Sequence, residues 1–308
     1  GPTREHIEEA LSWMKDPSKP KVKFSTATEF FRKLETYDLA KIPTVRDELN
    51  PVFEGCYTSH SEIKQANRQA EDVLTATEAV SAAASMFGFH YPGQQFRRGW
   101  EDIAFNHHHD TLPGSGIHPP YARTIAQLNR VVAESRETTM RALEHLSVSV
   151  TPKADGISVL VFNPTGWTRS GWADTYLVTS GWSGRGLDAG KAVAIDPSGK
   201  KLPVLLQDTV SRRAKFWAES VPAFGYRVFQ IVSGETLPVK ATLKESDREF
   251  VIENDRIRAI LDRATGAVTS LVDLASGKES VRPGGSAGRL ERHFEQPTGM
   301  SAWVLGKI

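Results

Sequence analysis

The sequence is nearly without cysteine. Cys56 is the only one in 308 residues, so no intrachain disulfide can form. That favours a reducing compartment without excluding secretion. It also lacks a surplus of charge: 38 Lys and Arg face 37 Asp and Glu, for a net +1, and no long run of like charge occurs. Nothing electrostatic draws the chain to nucleic acid or to an anionic membrane. No apolar run is long enough to span a bilayer. Gly1-Pro2-Thr3 has neither the basic nor the apolar part of a signal peptide. There is no initiator Met, and Gly-Pro fits a protease scar, so the natural N-terminus is expected to lie outside the sequence. What remains is ordinary globular material, 39% hydrophobic and 24% charged. The length suits roughly two or three domains.

The first third mixes helices and strands. Ile7, Ala10, Leu11 and Met14 fall at helical spacing, which predicts a helix over 3–16 with Thr3 near its N-cap and Pro17 and Pro20 beyond its end. Val22 to Phe24 reads as a short strand. Thr26-Ala27-Thr28-Glu29 is a capping-box pattern opening a helix with Phe30, Phe31 and Leu34. Strand then helix suggests the last unit of an α/β domain. One unit cannot bury both faces, so the rest of that domain is expected before residue 1. Residues 36–58 read as a loop with a short strand.

Ser59-His60-Ser61-Glu62 is a second capping-box pattern. Behind it Ile63, Ala66, Ala70, Val73, Leu74, Thr77, Val80 and Ala84 form one helical stripe. Gly88 and Pro92 break it. A helix from about Gln94 to His109 presents Phe96, Trp100 and Ile103 on one face. After a loop containing Pro113-Gly114-Ser115-Gly116 and Pro119-Pro120, a third helix over 121–147 carries Ile125, Leu128, Val131, Val132, Met140 and Leu143. Three amphipathic helices with short connections make a bundle. From 150 the texture is β. Val159-Leu160-Val161-Phe162 is strand-like, and turn dipeptides recur at Ser198-Gly199, Thr265-Gly266 and Ser276-Gly277. The fold class is thus multidomain α+β. It comprises the end of an α/β barrel over 1–58, a three-helix bundle over 59–150 and a truncated β-sandwich over 151–308.

Two segments carry chemistry. In Asn106-His107-His108-His109-Asp110, neighbours on a helix point about 100° apart, so three histidines cannot all meet one metal while the segment stays helical. One His aimed into a cleft could bind zinc through a neutral ring nitrogen, with Asp110 orienting a ligand or accepting from a sugar hydroxyl. The bland alternative is a polar helix end, where His suits the negative dipole. The second segment, Glu48 to His60, is dense in polar and aromatic residues. Rings such as Phe53 and Tyr57 suit sugar faces and a carboxylate such as Glu54 suits hydroxyls, or the rings simply pack on the bundle.

Several segments, in order along the whole chain, resemble glycoside hydrolase family 38. Glu48 to Ser59 looks like the family pattern of Gly, an aromatic residue and Thr-Ser. His109-Asp110 with Leu112-Pro113-Gly114 resembles its His-Asp-x-x-x-Gly motif. Arg68, Ala70-Glu71 and Glu78 resemble its first bundle helix. Val161-Phe162-Asn163-Pro164, Val221 to Tyr226 and Pro297 to Trp303 are similar to landmarks of its β region. Gly1-Pro2-Thr3 and Met300-Ser301-Ala302-Trp303 resemble the bacterial branch, without fixing bacterial cytoplasm or periplasm as the compartment.

The resemblance implies a retaining α-mannosidase with one active-site Zn2+, acting on mannose-containing glycans or oligosaccharides. It implies that His109 is a zinc ligand and that Asp110 contacts the bound sugar. His107 and His108 stay helix-end residues. Phe53 falls where some relatives carry a Trp near the sugar; Glu54 and Tyr57 are pocket-lining candidates. Retaining hydrolysis needs two carboxyl groups roughly 5 Å apart. In the family these, with the remaining zinc ligands, come from an N-terminal barrel, so they are expected before residue 1 and this chain alone is expected to be inactive. Two rivals remain open, a glycosidase for another α-linked sugar and a non-catalytic carbohydrate-binding or assembly module. A homo-oligomer is compatible with the sequence, which does not specify one.

Overall fold

The structure is a computed structural model that describes residues 2–47, 50, 52–151, 156–177, 191–208, 213–238, 241–297 and 299–307. Glu48, Leu49 and Pro51 of the second chemical segment, Gly1 and Thr298 of the landmarks, and Ile308 lie outside the described residues. The chain divides into two compact units, Gly1–Pro51 and Val52–Ile308.

In the first unit, helix α1 spans Arg4–Lys15. Thr3 Oγ1 accepts from the His6 N–H at 3.4 Å, and His6 Nδ1 accepts from the Thr3 N–H at 3.2 Å, which closes a capping box. Helix α2 spans Ala27–Leu34, with Thr26 Oγ1 capping the Glu29 N–H at 3.1 Å. Only that half of the expected box forms, because the Glu29 carboxylate is taken by Lys23 and by Ser25 Oγ. The strand expected at Val22 to Phe24 is absent. A strand needs a paired edge, and no other strand is described in this unit. Among the described residues of 36–58 the expected short strand is also not found; a 3-10 turn, Leu39–Lys41, stands there. Neither helix buries a residue. Ile7, Leu11 and Met14 on α1 and Phe30 and Phe31 on α2 are all exposed.

The second unit opens with the short helix α3 (Gly55–Thr58), then α4 (Ser61–Ser85), α5 (Gly93–Asn106) and α6 (His118–Val148). Every member of the α4 stripe except Val73 is buried. Ala66, Ala70 and Leu74 pack with Phe96 and Ile103 of α5 and with Leu128, Val131 and Val132 of α6. Gly99 lets α5 approach α4, since a Cβ there would sit 3.0 Å from Leu74 Cδ2. Met140, read as part of the α6 stripe, is exposed. Helix α6 starts at His118, ahead of the expected 121. Pro119 and Pro120 occupy its first turn, where the missing N–H has no intrahelical partner to lose. The capping box expected at Ser59 is also not formed. His60 holds the N-cap position in a left-handed conformation, φ 47°, with no side-chain cap. Helix α5 stops at Asn106, three residues short of His109, with consequences for the site.

The rest is antiparallel β. Strands β1 (Ile157–Phe162), β2 (Arg169–Tyr176), β3 (Ala192–Ile195), β4 (Lys201–Asp208), β5 (Arg213–Val221) and β6 (Tyr226–Ser233) form a sheet ordered β1-β6-β3-β4-β5-β2. β1 also touches β5, so the sheet nearly closes on itself. Its core includes Phe216 and Phe229, both 0% exposed, with ring centroids 5.0 Å apart. Leu160 and Phe162 of β1 pack on Val80, Ala84, Ala142 and Leu146, which joins sheet to bundle. A second sheet runs β11-β10-β9-β8-β7, from β7 (Ala241–Glu245), β8 (Glu249–Asn254), β9 (Ile257–Asp262), β10 (Val268–Asp273) and β11 (Lys278–Glu279). The expected turns fall at Ser198-Gly199, Thr265-Gly266 and Ser276-Gly277, each between consecutive strands.

Glu279 ties down the end of this second sheet. Its carboxylate accepts from Ser270 Oγ at 2.6 Å, the Leu271 N–H at 2.9 Å and the Val281 N–H at 2.8 Å. The Ser270 bond, then the two backbone N–H groups, lower its pKa from 4.5 to about 2. A depressed carboxylate stabilises the fold above its unfolded pKa, and that contribution is lost as pH falls through the folded value. A carboxyl NMR titration should therefore place Glu279 near 2, with β10–β11 pairing surviving to that pH. A midpoint in the ordinary glutamate range would contradict these bonds.

Candidate metal centre

The early stop of α5 shapes the site. Asn106 is 2% exposed; its Nδ2 donates to Asp102 O at 2.8 Å and its Oδ1 accepts from Thr124 Oγ1 of α6 at 2.9 Å. His107 is the C-cap, and the chain then leaves the helix. His107 turns back onto α4, with Nε2 3.0 Å from Asn67 Oδ1 and 3.1 Å from Glu71 Oε1. Arg68 pairs with Glu71 at 2.8 Å. His107 therefore pins the segment to the bundle.

Freed from the helix, the next residues converge. The rings of His108 and His109 lie 4.2 Å apart, and the Asp110 N–H donates to His108 Nδ1 at 3.3 Å. One ligating atom from each of His108, His109 and Asp110 lies within 4.8 Å of the others. The objection that successive residues diverge by 100° does not hold, because these residues are not helical. Imidazole and carboxylate are zinc donors at about 2.0–2.2 Å, which puts two donors on one tetrahedral ion roughly 3.3 Å apart. The His109 side chain is 83% exposed and Asp110 45%, so small rotations close the gap. The donor set fits the ion. The sequence leaves His108 at a helix end; the structure brings its ring beside that of His109.

The loop after Asp110 is held from several sides. Asp110 O accepts from the Gly116 N–H at 3.1 Å. Beneath it Tyr121 is 2% exposed and packs on the His60 ring at 4.4 Å. Burial holds the Tyr121 phenol above its usual range; the Gly116 backbone opposes this and the charge of Asp110 adds to it. Lys64 Nζ donates to Ser59 O at 2.6 Å, Leu112 O at 3.0 Å and Pro113 O at 3.1 Å. Burial lowers its pKa. Gly114 has φ 77°, and a Cβ on it would lie 2.8 Å from Ser59 O. Only glycine suits both the conformation and the space.

Ser59 also meets the far end of the chain. Its Oγ lies 3.4 Å from Ala302 O, 243 residues away, and the Gly55 N–H donates to Trp303 O at 3.0 Å. Phe53 meets Trp303 edge-on, ring centroids 5.6 Å apart. Three segments singled out separately in the sequence (53–60, 110–116 and 301–303) thus converge around Ser59. Phe53 is half exposed and Tyr57 largely exposed. Glu54 sits at the α3 N-cap position with Oε2 buried and without a hydrogen-bond partner. Among the described residues no hydrogen bond or ring contact links Phe53, Glu54 or Tyr57 directly to His109 or Asp110. The connection runs through Ser59 and Lys64.

The bundle with its His-His-Asp corner, continued by antiparallel sheets, has counterparts among known proteins. Residues 51–146 match the family described as the alpha mannosidase middle domain. The human protein alpha-mannosidase 2C1 is 24% identical over 309 residues, covering 98% of this chain and 26% of its own length. Alpha-mannosidase G of Dictyostelium discoideum is 29% identical over 148 residues, 48% of this chain and 14% of its own. The crystal structure of an alpha-mannosidase from Enterococcus faecalis V583 shares the fold at TM-score 0.54 and 18% identity, covering 90% of this chain and 36% of that one. The resemblance to the family 38 α-mannosidases therefore holds along most of the chain. The chain spans about a quarter of the length of the human relative.

Proposed function

We propose that this chain is the middle and following β part of a retaining, zinc-dependent α-mannosidase that removes α-linked mannose from glycans or oligosaccharides. The observation that carries the reading is the convergence of His108, His109 and Asp110, with ligating atoms within 4.8 Å, on a domain of the α-mannosidase family. In this account His109 is a zinc ligand, His108 stands beside it as a further donor, and Asp110 accepts hydrogen bonds from sugar hydroxyls. His107 fixes the segment through Asn67 and Glu71, and Lys64 fixes the loop that follows. Phe53 offers an aromatic face to the sugar; Glu54 and Tyr57 line the approach. When bound, zinc supplies a Lewis-acid anchor for the sugar hydroxyls.

Retaining hydrolysis also needs a nucleophilic carboxylate and an acid/base carboxyl roughly 5 Å apart. We place both outside this chain, on a catalytic barrel whose last helices are α1 and α2. The exposed Ile7, Leu11 and Met14 of α1 and Phe30 and Phe31 of α2 support that reading. The region after residue 150, a nearly closed six-stranded sheet followed by a five-stranded one where a sandwich was expected, is its β part.

The test is a panel of aryl glycosides. The 308-residue chain should turn over none of them, with zinc or with a chelator. The longer protein should prefer the α-mannoside, and His109→Ala in it should cut turnover by about 100-fold or more, beyond what loss of an outer-shell partner costs. A preference for α-glucoside or α-galactoside would replace the mannose assignment. Zinc-dependent turnover by the chain alone would move the catalytic carboxylates into it.

A further inference from the structure

The second sheet has two unlike faces and a cover on neither. None of the residues in β7, β8, β9, β10 or β11 is buried. No other described helix or strand makes more than a marginal approach to these strands. In their register Leu243, Ile252, Ala259 and Leu271 stand in one row across β7, β8, β9 and β10. Side chains two apart on a strand share a face, so Phe250 and Leu261 form a second row beside the first, and Ile257 extends the face at its other end. Leu243 is 59% exposed, Ile252 47%, Ile257 46% and Leu271 37%. Charge stays at the margin of this face: Arg263 lies over the Phe250 ring, 4.9 Å from its centroid, and reaches Glu245 at 3.5 Å. The reverse face carries Thr242, Lys244, Glu253, Arg258 and Ser270, with Arg258 paired to Glu253 at 3.4 Å.

An antiparallel sheet with one polar and one apolar face keeps the polar face wet and buries the other against a second layer. The size of the face decides what that layer is. Four strands about 4.8 Å apart, five residues long at about 3.4 Å each, present roughly 300 Å². A second copy meeting it face to face would bury about 600 Å² in all, below the roughly 1,200 Å² at which specific interfaces between separate molecules begin. A segment of the same polypeptide needs less, because the linking chain has already removed most of the translational and rotational freedom that separate molecules lose on association. The relatives have the length for such a segment: this chain spans 26% of the human protein, and its match in the Enterococcus faecalis structure is 36% of that chain. Leu, Ile and Ala in straight rows are what the inner face of another sheet, packed about 10 Å away, interdigitates with.

We propose that the Leu243–Ile252–Ala259–Leu271 face is an intramolecular docking surface, covered by a further β-sheet of the longer protein from outside these 308 residues. It rests on the reading of this chain as one part of a longer protein, and not on the metal: a His109→Ala protein that keeps its zinc or its turnover would overturn the metal assignment alone. The test is hydroxyl-radical footprinting of the 308-residue chain beside the longer protein. Leu243, Ile252 and Leu271 should be labelled in the chain alone and should lose that labelling in the longer protein. Ile252→Lys, on the apolar face, should lower the urea midpoint of the longer protein and leave that of the 308-residue chain unchanged. Thr242→Lys, on the reverse face, should leave both midpoints unchanged. If Ile252→Lys keeps the longer protein from folding, the milder Leu271→Thr decides. Equal labelling of the three residues in the two proteins, or an unchanged midpoint for the apolar-face variants of the longer protein, would overturn the proposal. So would a dimer of the 308-residue chain that Ile252→Lys dissociates, since the face would then belong to a second copy.

Discussion

Gly55→Ala is expected to destabilise the second unit by about 1–3 kcal/mol through overpacking, with up to about 1 more for a lost hydrogen bond. A Cβ at 55 would lie 2.4 Å from Ser301 O and 3.0 Å from the carbonyl carbons of Ala302 and Trp303. These are backbone atoms and cannot rotate away, so the 301–303 segment must move and the Gly55 N–H to Trp303 O bond goes with it. The sign is diagnostic. On helix propensity alone, alanine for glycine inside a helix gains up to about 1 kcal/mol. Urea unfolding should show a lowered midpoint, and hydrogen exchange should show lost protection at Gly55 and Ser59. A stabilised variant would mean that 301–303 does not dock on α3.

Phe216→Ala should cost about 3–5 kcal/mol, the range for emptying a large buried aromatic site. Phe216 is 0% exposed and lies on β5 between Val204 of β4 and Ala173 of β2 in the strand register. It also packs against Phe229 of β6, across the interior of the curled sheet. Neighbours on three strands are fixed by ladder hydrogen bonds, so the void cannot collapse cheaply. Phe216→Leu, which keeps more of the volume, should cost distinctly less. The measurement is the equilibrium unfolding transition of the sheet. A loss below about 1 kcal/mol in the alanine variant would mean that this sheet does not close around a dry core.

The bundle was legible in the sequence because its signal is local. The α4 stripe recurs at helical spacing, and the Thr3 and Thr26 caps lie within three residues of the N–H groups they serve. The errors came where distant partners decide. Ser59 looked like a cap for α4, yet its hydroxyl faces Ala302 and its carbonyl takes Lys64. The helix through His109 was an extrapolation of the α5 stripe past Asn106, whose side chain is tied to Thr124 of the next helix. That bond is invisible to periodicity. The strand at 22–24 failed for want of a paired edge. The near-closure of the first sheet is out of reach of periodicity too, since it rests on β1 meeting β5, a strand far along the chain. At the site, the residue types were legible but the contact between 53–60, 110–116 and 301–303 was not, because Lys64 and Ser59 carry it across the chain.

The most direct test of the central claim is a calorimetric zinc titration of the longer protein, which carries the remaining zinc ligands, beside its His109→Ala variant. The account predicts one zinc per protein and an affinity at least about tenfold lower in the variant, with both proteins equally folded by circular dichroism. Equal zinc affinity in the two proteins, or no zinc bound by the longer parent protein, would contradict the assignment of His109 and the metal corner with it.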